Sequence, residues 1–127
     1  MSGMKKLGLA VTVGTAVIAT SAANADMLET FASCTGRLSA EVEHAWLMGA
    51  GEVDYLTHQR SEFIALLTAV TPPDQNRQAL AIRIDAKMAH SEILTLATFS
   101  RDNAQMDWAL KQAARHIRGC TELLLTS

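Results

Sequence analysis

Proline, cysteine and aromatic residues are scarce in this chain of 127 residues, which holds two prolines, two cysteines and six aromatic side chains. The prolines are adjacent, Pro72-Pro73, so nothing on either side of them forces a helix to stop. Strand signals are nearly absent, and so are repeats, low-complexity segments and internal linkers. Catalytic signatures are missing as well. There is no G-x-S-x-G, no H-E-x-x-H and no glycine-rich phosphate loop. The carboxylates are scattered, and Asp85 and Glu92 read as ordinary charges on a helix surface. A non-catalytic protein without a cofactor is the expectation.

What is present begins with an export pattern. Lys5 and Lys6 precede an uncharged stretch from Leu7 to Ala25, which ends in Ala23-Asn24-Ala25 before Asp26. A basic start, a short apolar segment and small residues at −3 and −1 make a secretory signal. Its truly apolar part is about thirteen residues, whereas a membrane span needs about twenty. Cys34 is cut off from that run by Asp26 and Glu29, which argues against lipid attachment. Residues 1–25 are therefore read as a cleaved signal peptide and 26–127 as one periplasmic domain, with no membrane span after cleavage.

Loss of Lys5 and Lys6 leaves 9 basic against 13 acidic side chains, a charge of about −4 with neutral histidines. That balance argues against nucleic acid or an anionic membrane surface as the main partner. Cys34 and Cys120 fit neither a C-x-x-C redox motif nor haem attachment. In an oxidising compartment they are expected to form one disulfide. A bridge closing most of the chain stabilises by about 4 kcal/mol in the chain-entropy model.

Gly49-Ala50-Gly51, Thr71-Pro72-Pro73 and Ser100–Asn103 divide the remainder into four segments of helical period. The first, about 27–48, aligns Phe31, Cys34, Leu38, Val42, Ala45 and Gly49, with Asp26 and Glu29 as a capping box. The second, about 52–70, aligns Val53, Leu56, Phe63, Leu66, Leu67 and Val70. The third is expected to start with Thr71 as N-cap and Pro72 at the first helical position. The fourth, about 103–125, aligns Met106, Leu110, Ala113, Ile117, Cys120 and Leu124, with Asp102 and Gln105 as its cap pair. Four helices with short loops predict an all-α fold, an antiparallel up-down-up-down four-helix bundle. The disulfide joins its first and last helices at one end, in agreement with that topology.

The third helix has two apolar seams. Ile82, Ala86, Ala89, Ile93 and Leu96 form one; Ala81, Ile84, Met88, Ser91 and Thr95 form another, roughly 140–160° around. One seam faces the core. The other either touches flanking helices or serves as a homodimer face.

Each helix carries one histidine: His44, His58, His90 and His116. With the cysteines level and about 1.5 Å rise per residue, His116 falls about 6 Å from the bridge, His58 about 13 Å, His44 about 15 Å and His90 about 22 Å. They share no plane, so a four-histidine metal site is excluded and surface positions are expected. Met27 and His116 are about 16 Å apart along the axis by the same count, which excludes a Met–His haem. Met48, Met88, Met106 and His90 fall near one level, and thioether with imidazole suits Cu(I). That set supports an alternative reading as a copper or small-cofactor carrier.

Trp46 flanks the first helix's apolar stripe and is expected to pack. Trp108 lies about 170° from the fourth helix's stripe and is expected to be exposed, with Lys111, Arg115 and Arg118 on the same face. An exposed indole beside cations on a net-acidic protein is what a site for an acidic partner would look like. A non-catalytic binding module acting through protein contacts is the leading functional expectation.

Overall fold

Glycine and proline punctuate the chain near the expected places. The computed structural model describes residues 16–49 and 52–126 and the isolated positions 3, 8 and 10. Four α-helices span Ala16–Met48 (α1), Val53–Val70 (α2), Asn76–Phe99 (α3) and Asn103–Thr126 (α4), with no strand among the described residues. Gly49 ends α1 in the left-handed region at φ 66°, where a residue lacking Cβ is favoured. It is an exposed stop rather than part of the core stripe. Asp102 caps α4: its Oδ1 accepts from the Ala104 and Gln105 amides at 2.9 and 3.4 Å.

Two helix starts differ from expectation. α1 begins at Ala16, eleven residues early, because the alanine-rich segment before Asp26 contains no breaker. Asp26 and Glu29 therefore sit within a helix and form no capping box. Lys5, Lys6 and most of the apolar run lie outside the described residues. Thr71, expected as the N-cap of α3, instead closes α2 in an extended conformation, with its hydroxyl donating to the Leu67 carbonyl at 2.6 Å. Pro72 is extended too, and a 3₁₀ turn at Pro73–Gln75 follows before α3.

Alternation of direction makes the bundle antiparallel between neighbours in sequence, and α1 is its hub, lying against α2, α3 and α4. Its expected stripe packs as Cys34, Leu38, Val42 and Ala45 against Leu56 and Phe63 of α2 and Cys120 of α4. Phe31 and Phe63 meet with ring centroids 6.1 Å apart. Phe63 is fully buried, which places the cost of Phe63→Ala at about 3–5 kcal/mol. The Cys34–Cys120 disulfide is present, with Cα atoms 5.6 Å apart.

A second face of α1 was not foreseen. Ala32, Gly36 and Ala40, spaced by four, lie on one line of the helix, and all are buried. They meet α3, which runs parallel to α1: Ala32 packs with Ala79, Gly36 abuts Arg83 to Lys87, and Ala40 packs with Leu94. Small side chains let the two backbones close in. Thr35 and Ser39, also buried on α1, satisfy their hydroxyls within the helix, on the Phe31 and Thr35 carbonyls at 2.7 and 2.9 Å.

This contact resets the phase of α3. Its buried residues are Ala79, His90, Leu94 and Ala97, a stripe about 80° round the helix from the seam expected to face the core. Arg83 and Lys87 lie along that stripe, half-buried. Their stems lie by the helix contact, and Lys87 pairs its ammonium with Glu43. α4 is rotated less, by about 40°, which leaves Leu110 exposed and brings Ala109 into the core.

Candidate functional site

Up-down-up-down order gathers the end of α1, the start of α2, the end of α3 and the start of α4 at the pole away from the disulfide. Trp46 follows Cys34 by twelve residues and Trp108 precedes Cys120 by twelve, so both stand about 18 Å from the bridge. Trp46 is 60% exposed and Trp108 51%. Tyr55 and Phe99 are exposed at the same pole, as are Leu47 and Met48. The six aromatics of the chain thus divide by position: Phe31 and Phe63 fill the core, and the other four are exposed at one end. Trp46 is not packed as expected.

Lys111, Arg115 and Arg118 are all exposed and share the outer face of α4 with Trp108. An indole N–H, half-exposed apolar area and three cations are groups for contact with another molecule.

The histidines are not the four surface side chains that were expected. His58 alone fits that description, 3.6 Å from Glu62 one turn on. His44 Nε2 lies 3.0 Å from the Thr98 hydroxyl of α3. His90 is 1% exposed, with Nε2 2.8 Å from Glu41 Oε1. A carboxylate can only accept, so Nε2 carries the proton, and buried Nδ1 has no hydrogen-bond partner. The rings of His90 and His116 are 6.0 Å apart, although counting residues from the Pro-Pro turn separated them by about 16 Å. The count fails because Thr71 and Pro72 are extended and the 3₁₀ turn follows, so α3 starts lower along the bundle. His116 titrates below the ordinary histidine range. Burial disfavours its charged form first, and the charges of Arg37, His90 and Arg115 add to that.

The methionine set is dispersed by the same phase change. Met88 is exposed and leaves α3 on the side opposite buried His90, about 160° away, and Met48 is exposed on α1. These side chains do not converge on one ion. Among the described residues, no group of three or more His, Cys, Asp and Glu side chains is placed to hold a metal.

One buried polar residue had no sequence signal beyond its spacing from Leu56 and Phe63. Gln59 of α2 is 5% exposed; its Nε2 donates to the Tyr55 hydroxyl at 2.9 Å and reaches Thr121 of α4 at 3.5 Å. It links α2 to α4, as Glu41–His90 and Glu43–Lys87 link α1 to α3. None of the described helices is long and apolar enough to cross a membrane. Compared with protein-family models, with curated proteins and with solved structures, the chain matches none.

Proposed function

We propose that this protein is an exported, periplasmic binding module that acts by protein contact rather than by catalysis. The contact site is the outer face of α4: Trp108, Lys111, Arg115 and Arg118. The observation that carries this reading is a half-exposed indole at the pole where all four exposed aromatics collect. Covering such an indole is worth about 2 kcal/mol or more, and three cations on one face steer an acidic partner towards it. Export is supported from the core. Ala22 to Met27 are exposed, and the first buried side chain described is Leu28, so cleavage after Ala25 takes away nothing that these residues pack.

The test pairs Trp108→Ala with Arg115→Glu. The double variant keeps the wild-type melting temperature and fails to retain the acidic envelope protein that the wild type co-purifies at low salt. Raised salt weakens the wild-type complex in the same direction. A double variant that folds and still retains that protein refutes the site. A stoichiometric metal or chromophore in protein purified from its own host refutes the module reading itself.

A further inference from the structure

α3 meets α1 and α4 along its buried stripe, and the opposite side of the helix is apolar. Leu80, Ile84 and Met88, spaced by four, are each at least half exposed, and Ala81 lies exposed between them. The midline of the second seam lies roughly 140° from the buried stripe, and at its edge Leu80 and Ile84 border a groove shared with Glu43 of α1 and Arg60 of α2. A monomer leaves this face against water, where three large side chains at full spacing form a continuous strip.

Two charges bracket the strip. Arg77 precedes it and Glu92 follows it, both exposed, fifteen residues or about 22 Å apart. Their midpoint falls between Ile84 and Asp85, inside the apolar segment. A face with a cation at one end, an anion at the other and an apolar middle complements itself when reversed. We infer that α3 pairs antiparallel with α3 of a second copy about a two-fold axis near Ile84. Each Arg77 then faces Glu92 of the partner subunit, and each Met88 lies over Ala81 of the partner subunit. A two-fold interface repeats each of these contacts twice. The parallel alternative sets Arg77 directly against its own copy. Asp85 stays at the rim, about 80° from the midline, in water. A single helix pair is a small interface, so the dimer belongs in the micromolar range.

Sedimentation equilibrium of the disulfide-bonded protein, from low to hundreds of micromolar, tests this. The wild type is expected to pass from monomer to dimer across that range. Ile84→Glu stays monomeric throughout with an unchanged circular dichroism spectrum. Arg77→Glu turns two attractive pairs into repulsive ones and weakens dimerisation roughly tenfold. Adding Glu92→Arg to that variant restores it. A wild type that is monomeric at every concentration overturns the inference. A dimer that survives Ile84→Glu overturns the surface, and failure of the Arg77→Glu, Glu92→Arg pair to recover overturns the antiparallel arrangement.

Discussion

Substituting Gly36 with alanine should destabilise this protein, although the same change elsewhere in it should stabilise. Gly36 lies within α1, where alanine is favoured over glycine by about 1 kcal/mol. A Cβ built on it overlaps the Arg83 carbonyl oxygen and stands 2.9 Å from the Lys87 amide nitrogen and 3.1 Å from the Ala86 Cβ. Two of these three neighbours are backbone and cannot rotate aside, so α1 and α3 must part by something on the order of 1 Å. Overpacking of this kind costs about 1–3 kcal/mol, and immobile partners place it at the upper end. Net of the propensity gain, a loss of about 2 kcal/mol remains, or roughly 10 °C in melting temperature for a domain this size. Gly119 provides the internal control. It too is helical, in α4, and its added Cβ meets nothing within 4 Å. Gly119→Ala should raise stability by up to about 1 kcal/mol. Thermal and urea unfolding followed by circular dichroism read both variants. If Gly36→Ala is as stable as Gly119→Ala, the two helices are not in backbone contact and the close approach of α1 and α3 is refuted.

Breaking the bridge with Cys34→Ala and Cys120→Ala together frees a sequence separation of 86 residues and should cost about 4–5 kcal/mol in the chain-entropy model, measured by urea unfolding. Asp102→Ala removes the α4 cap and should cost about 1 kcal/mol, whereas Asp102→Asn should recover most of it. His116 contributes a pH term of definite sign. Its folded pKa lies below the ordinary 6.5, so between these values the unfolded chain binds more protons. Stability should therefore fall as pH drops from about 6.5 to the folded pKa and level off below it, and His116→Gln should remove that slope in unfolding curves taken at successive pH values.

Four helices and the disulfide were legible in the sequence because both rest on strong local signals, apolar periodicity broken by glycine and proline, and a lone cysteine pair. The phase of α3 was not. Its inward face carries Arg83, Lys87 and His90, and polarity alone assigns such residues to water. They face inward because α1 offers a stripe of small residues there, with Glu41 and Glu43 to receive the polar heads. The Ala32–Gly36–Ala40 spacing was visible in principle, since small residues four apart mark close helix approach. Trp108 and its cations were placed correctly because a surface face needs no knowledge of neighbours. Trp46 was misplaced because a position flanking a stripe packs only where a neighbouring helix covers that flank, and periodicity within one helix carries no information about its neighbours.

The bridge between Cys34 and Cys120 also has a mechanical meaning. It ties the first helix to the last, so tension applied to the chain outside these two residues bypasses the 86-residue interval between them and passes through a single S–S bond. Pulled in this way, the oxidised protein lengthens only through its flanking segments, while the helices between stay slack. After reduction the same pull would unravel α2, α3, the later part of α1 and most of α4, releasing about 300 Å of contour. The redox state therefore sets whether the molecule behaves under load as a short inextensible link or as a long compliant tether.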